Sequence, residues 1–178
     1  MKDSFKTDIE AIRKSAREKL ADGAVTDGYR ADRQRVIDVL NDVLATETVC
    51  TLRYKNHYYV ASGIHSKPVA AEFLQHATEE QEHADRVAER ITQLGGVPNL
   101  NPAGLATRSH VQYVEAEKLE DMIRENLIAE RIAVQTYSEI ARWLGDDDPT
   151  TRRLIESLLE VEEEHAEDMK NLLSQLSR

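Results

Sequence analysis

The sequence predicts an all-α protein, a four-helix bundle made of two antiparallel hairpins joined by a long crossover. Three observations lead there. Gly and Pro number only 7 and 4 in 178 residues, and they gather into a few breaks. Between the breaks, apolar residues return every three or four positions, the period of a helix with one buried face. The intervening residues are rich in Ala, Leu, Glu, Arg and Gln, which favour helix, while aromatic residues make up only 5%.

In chain order, residues 1–29 form an N-terminal extension. Its stripe of Ile9, Ile12, Ala16 and Leu20 suits either a short accessory helix or a mobile arm. The bundle then occupies residues 30–178, with long helices expected at 31–62, 67–94, 117–144 and 149–176. Each would be about 42 Å long at 1.5 Å per residue. Ser66 ahead of Pro68 is the expected cap of the second helix, Gly95 the stop after Leu94, and Asp148 the cap that precedes a first-turn Pro149. The first and third connections are short, whereas the stretch from Gly95 to about Ala116 can run the full height of a bundle.

Composition narrows the function. With 33 acidic and 23 basic side chains the formal charge is −10, which opposes nucleic acid or anionic lipid as a partner of the whole surface. Residues 1–20 are the local exception, with six Lys and Arg against four Asp and Glu. The single cysteine, Cys50, cannot form an internal disulfide. Met1-Lys2-Asp3-Ser4 has no apolar core of a signal peptide and no apolar run approaches a membrane span, so a cytoplasmic location without membrane contact is expected.

The buried seams carry the chemistry. Steps of three and four trace Val36, Leu40, Val43, Glu47, Cys50, Tyr54, His57 on the first helix and Val69, Phe73, His76, Glu80, His83, Val87 on the second. They trace Ile123, Leu127, Glu130, Val134, Tyr137 on the third, and Ile155, Leu158, Glu162, His165, Met169 on the fourth. A glutamate sits mid-helix on every seam. Isolated buried carboxylates are too costly to retain without compensation. Two divalent cations would cancel Glu47, Glu80, Glu130 and Glu162, and Glu80-x-x-His83 and Glu162-x-x-His165 would each add an imidazole from the same helix face. Mostly oxygen donors with one nitrogen per ion suit iron or manganese. The two Glu-x-x-His pairs are weak by themselves, since 20 Glu and 6 His supply about 0.7 such pairs by chance. The repeat is stronger. A lone Glu is followed 33 residues later by a Glu-x-x-His in one hairpin and 32 residues later in the other, so all six meet at one level. Phe73 and Trp143 are expected as packing anchors.

The stretch from Glu80 through His83 to Arg90, continuing through Leu94-Gly-Gly-Val-Pro-Asn-Leu100, resembles bacterioferritin and the wider ferritin-like di-iron family, and the resemblance extends over about residues 40–176. It implies a di-iron site in each subunit, with Glu47 and Glu130 as terminal or bridging ligands beside the pairs Glu80-His83 and Glu162-His165. Tyr54 and His57 resemble family residues near the site, with packing in the core as their alternative role; from the seams alone, Tyr137 falls beside the site, and His76, one turn before Glu80, reads as a hydrogen-bonded partner of the site or an extra metal ligand on the route to it. Three departures refine the expectation. Gln81 stands where bacterioferritins carry the haem-ligating methionine, so no haem is expected. Only 13 residues follow His165, too few for the fifth helix of 24-subunit cages, which implies a shell like that of the Dps-like mini-ferritins, with 12 subunits. Near Glu130 there is no cysteine pair, so the redox role of such thiols does not transfer. The resemblance implies iron storage with ferroxidase activity, using hydrogen peroxide or oxygen and protecting against oxidative stress. A non-storing di-iron or di-manganese peroxidase or catalase, and a DNA-protecting shell that contacts DNA through the N-terminal arm, are the alternative readings.

Overall fold

The computed structural model describes residues 6–176, so Met1-Lys2-Asp3-Ser4 and part of the basic bias of residues 1–20 lie outside the described residues. The regular elements among the described residues are helical: α1 Ile9–Glu18, α2 Arg33–Val60, α3 Ser66–Gln93, α4 Leu105–Arg108, α5 Leu119–Leu144 and α6 Pro149–Leu176, with 3-10 turns at Leu20–Asp22 and Pro102–Gly104. Helix α2 packs along α3 and α5 along α6, and the hairpins meet through α3 with α6 and α2 with α5. The four long helices begin and end within two residues of the positions read from the sequence.

Local chemistry explains most of these ends. Asp32 accepts a hydrogen bond from the Arg35 amide at 3.1 Å and starts α2. Asp148 does the same for the Thr151 amide at 2.9 Å, with Pro149 next in line. Ser66 does not cap α3. The cap residue is His65, and the Ser66 hydroxyl instead donates back to the Gly63 carbonyl at 2.8 Å, because the helix already begins at Ser66. Gly95, at φ +77°, closes α3: its amide donates to the Thr92 carbonyl and that of Gly96 to the Ile91 carbonyl, both at 2.9 Å. Gly96 also lies against α2 so closely that a Cβ there would come within 2.8 Å of an Ile37 methyl.

The crossover is fastened to the outside of α2. Asn41 accepts from the Asn99 amide at 2.7 Å, Thr46 from the His110 amide at 2.9 Å, and Arg53 donates to the Gln112 carbonyl at 3.2 Å. Leu105 and Val111 complete a small cluster with Ala45, Val49, Cys50 and Ala129.

Two larger apolar clusters fill the bundle. Leu40, Leu44, Val87, Ile91, Ile140, Leu144, Ile155 and Leu158 pack at the end that holds Gly95 and Gly145. Val69, Phe73, Ala77, Met122, Ile123 and Met169 pack at the other. Each fully buried large apolar side chain stabilises the fold by about 1.5–3 kcal/mol. Between the clusters lies a buried polar layer of Glu47, His76, Glu80, His83, Glu130, Glu162 and His165.

Phe73 is fully buried, as expected of an anchor, but Trp143 is 42% exposed and lies under the Arg35 guanidinium 5.5 Å from its ring centre. It covers the surface of α5 instead of filling the core. In the extension, Ile9, Ile12 and Ala16 lie on α1, which Asp8 caps through the Ala11 amide at 3.0 Å, while Leu20 opens the 3-10 turn that follows, and all four are exposed within a single chain.

Candidate metal centre

The polar layer is built from matching halves. Glu47 comes from α2 and Glu130 from α5, while α3 supplies Glu80 and His83 and α6 supplies Glu162 and His165. Each i, i+3 pair projects together because both residues lie on one helix face. Glu162 lies between the two imidazoles: His83 Nδ1 donates to its Oε1 at 3.0 Å, and His165 Nδ1 is 3.5 Å from its Oε2. His83 Nδ1 is also 3.3 Å from Glu47 Oε2, and His165 Nδ1 is 3.4 Å from Glu80 Oε1. Donor atoms of Glu47, Glu80, His83 and Glu162 lie within 4.8 Å of one another, and so do those of Glu80, Glu130, Glu162 and His165. Glu80 and Glu162 therefore belong to both groups, while Glu47 and Glu130 belong to one each.

Two tyrosines orient those outer carboxylates. Tyr137 donates to Glu47 Oε1 and Tyr54 to Glu130 Oε1. His76 reaches the layer through Tyr54, its Nδ1 lying 3.1 Å from the phenol oxygen, and its ring stacks on His165 with centres 3.9 Å apart. His57 stands apart. It is buried toward Phe73, 5.9 Å between ring centres, and belongs to neither carboxylate group.

The electrostatics are those of buried carboxylates crowded together away from water. Burial, then the charges of Glu162, Cys50, Glu47 and Glu130, pushes Glu80 well above the usual carboxylate range. Burial and then the Glu162 charge push Glu130 up to about 8. At Glu162 burial works the same way, but the close His165 and His83 imidazoles more than reverse it and hold the group at about 2. Burial disfavours charge on the two histidines; their carboxylate partners override it and raise His83 to about 10 and His165 to about 9. In effect, protons occupy the positions where cations would neutralise the glutamates. Burial lowers His57 to about 4, helped by the Arg53 charge, and lowers His76 to about 3, helped by the His165 charge.

Whether the layer fits metal can be judged from its unpaired atoms. Glu80 Oε1, Glu130 Oε2, Glu162 Oε2 and His165 Nδ1 are buried with no hydrogen-bond partner. Leaving such atoms unpaired is costly in a packed core, and all four converge on the same layer. Oxygen and imidazole donors in this proportion match the preferences of iron and manganese.

A Ferritin-like domain model matches residues 37–178. The chain belongs to the ferritin-like family. It is 30% identical to a bacterioferritin from Desulfovibrio desulfuricans over 151 residues, spanning 84% of this chain and 80% of that protein. It is 31% identical over 164 residues to a DNA protection during starvation protein from Halobacterium salinarum, spanning 86% and 88%. Among solved structures, the bacterioferritin-related protein of Bacteroides fragilis, described as a dodecameric thioferritin, superposes with a TM-score of 0.80 at 32% identity, over 84% of this chain and 90% of that one. The D. desulfuricans bacterioferritin, described with its diiron site in different catalytic states, gives 0.72 at 26% identity, over 82% and 81%. The relatives thus include proteins of the bacterioferritin, Dps and non-heme ferritin types.

Several neighbours of the layer escape a seam-based reading. Arg53 and Asn126 form a buried pair, Arg53 Nε donating to Asn126 Oδ1 at 2.9 Å, and bring a positive charge close to Glu130. Beyond His165, Glu79 accepts from its Nε2 at 2.8 Å, while Glu72 and Asp168 flank His76. The spacing Glu72, His76, Glu80 is an i, i+4 ladder visible in the sequence. Its first member lies at the edge of the buried face and so drops out of an apolar seam. Gln81 and Glu82 are exposed on the opposite side of α3.

Proposed function

We propose that this protein is a ferroxidase and iron store. It would oxidise Fe2+ at a paired site within each chain and retain Fe3+ mineral inside a shell of identical subunits, protecting the cell from oxidative stress. The sharing of Glu80 and Glu162 by two otherwise separate donor groups carries this reading. In it, Glu47 and His83 hold one iron, Glu130 and His165 hold the other, and Glu80 and Glu162 bridge them. Tyr137 and Tyr54 fix the outer carboxylates, and His57 packs behind them.

Iron is the substrate. Each of two Fe2+ ions gives up one electron, so hydrogen peroxide takes two electrons and two protons to become two waters, while oxygen would end as hydrogen peroxide. Pairing the irons avoids releasing a one-electron radical. As the cations bind, they displace the protons held at Glu80, Glu130 and the Nδ1 atoms of His83 and His165, so loading is favoured as pH rises. Manganese would occupy the same donors.

The assembly we propose is a 12-subunit shell, supported by the similarity to the dodecameric B. fragilis protein. Residues 1–29 would act as an extension of the bundle at 30–178, without haem at Gln81 and in the cytoplasm; no helix among the described residues is long and apolar enough to cross a membrane. Direct DNA binding is not part of the proposal, because Arg13, Lys14 and Lys19 each face an acidic partner on or beside α1.

Glu130→Ala tests the reading. Fast Fe2+ oxidation, followed by stopped-flow absorbance with either oxidant, should disappear while helix content and assembly persist. Unchanged oxidation kinetics would overturn the assignment.

A further inference from the structure

Outside the paired centre, one cluster has an arrangement that hydrogen bonding leaves unexplained. His76 is 1% exposed, and its Nε2 points between Glu72 Oε1 at 3.5 Å and Asp168 Oδ2 at 3.7 Å. The proton inventory fixes the tautomer. With Glu130 ionised, as cation binding at the layer leaves it, Tyr54 gives its one hydroxyl proton to that carboxylate and His76 Nδ1 donates to the Tyr54 oxygen. In the neutral ring this leaves Nε2 as a bare lone pair. Three acceptors, one imidazole nitrogen and two carboxylates, then face one another with no hydrogen between them.

Two ligands bonded at about 2.1 Å to one ion sit roughly 3.0 to 3.5 Å apart at octahedral or tetrahedral angles. The observed separations need only a small inward turn of two side chains. Glu72 and Asp168 are free to make it, with 33% and 50% of their side chains exposed.

We propose that Glu72, His76 and Asp168 form a third, mononuclear divalent-cation site of one nitrogen and two carboxylates, completed by water, at the solvent-facing side of the paired centre. Its donors suit Fe2+ or Mn2+. The His76 ring stacks on His165, whose Nδ1 turns toward Glu80 and Glu162, and Glu79 reaches His165 Nε2 from the same outer side. An ion held here is one imidazole stack from the inner carboxylates, with Glu79 positioned to pass it across. That waiting role rests on the paired-iron reading; the site itself rests on its own three donors.

Tight Mn2+ binding, measured on the assembled protein by equilibrium dialysis with metal analysis, tests both and separates them. The variant Glu72→Gln/Asp168→Asn changes two partly exposed side chains and should keep the fold. It should bind one Mn2+ per chain fewer than the wild type, and its initial rate of Fe2+ oxidation should fall several-fold at limiting Fe2+ but recover at saturating Fe2+. The variant Glu47→Gln/Glu130→Gln should lose the inner ions and keep the outer one. Equal Mn2+ binding by Glu72→Gln/Asp168→Asn and wild type would overturn the third site. Loss of one ion in that variant, with no loss in Glu47→Gln/Glu130→Gln, would uphold the third site and overturn the paired one.

Discussion

Replacing Glu130 with Gln should stabilise the metal-free protein. Glu130 is fully buried, one oxygen bonded to Tyr54 and the other without a hydrogen-bond partner, and its carboxyl is pushed from an ordinary 4.5 to about 8. Below pH 4.5 both folded and unfolded chains hold the proton, and the group has no effect. Between 4.5 and 8 the unfolded chain ionises freely while the folded chain keeps its proton, so stability falls as pH rises and levels off above 8. At about 1.4 kcal/mol per pH unit the cost is on the order of 4 kcal/mol at pH 7.5. Gln keeps an acceptor for Tyr54 and offers an amide toward Glu162 without the charge. In excess chelator, Glu130→Gln should therefore match the wild type near pH 4.5 and melt roughly 10 °C higher at pH 7.5, given about 2–4 °C per kcal/mol in a chain of this size. Scanning calorimetry across that pH range measures the difference. Saturating Mn2+ should narrow the difference, because the wild type gains the binding energy of one more site, about 2.7 kcal/mol at one hundred times Kd. A variant that is equally or less stable than the wild type in chelator across the pH range would refute the reasoning.

The shared and unshared glutamates should differ. Glu47→Gln removes a donor from one group and should leave one tight inner ion, whereas Glu80→Gln removes a donor common to both and should weaken both, as metal titration would reveal. At the end of the bundle, Asp148→Ala should be severe. Asp148 accepts from Arg90 at 3.0 Å, from the Thr151 amide and hydroxyl and from Tyr29, and its loss strands a buried guanidinium. About 3–5 kcal/mol of destabilisation is expected, seen as a thermal midpoint lowered by roughly 10 °C.

The long helices were legible because their apolar period and their end signals at Asp148 and Gly95 agree with each other. The glutamate layer was legible for a related reason: a charged residue on an otherwise apolar face stands out against the seam. Which glutamates are shared was not legible. Sharing depends on how the two hairpins sit against each other along α3 and α6, which no single helix encodes. The Arg53–Asn126 pair and the Glu72, Asp168 flank were equally hidden, since they lie off the seams and acquire meaning only when α2 meets α5 or α3 meets α6. Trp143 was misplaced by the usual preference of large aromatics for cores; here an Arg35 contact suffices to hold it at the surface. Ser66 was misplaced by one position of helix phase, which moved the cap to His65.

The most direct test is where iron sits. Crystals loaded anaerobically with Fe2+ and measured with X-rays near the iron absorption edge should show, beside the outer peak at Glu72, His76 and Asp168, two anomalous peaks about 3.5–4 Å apart, each within bonding distance of Glu80 and Glu162, one also at Glu47 and His83 and the other at Glu130 and His165. Fully loaded crystals without iron between Glu80 and Glu162 would contradict the paired site.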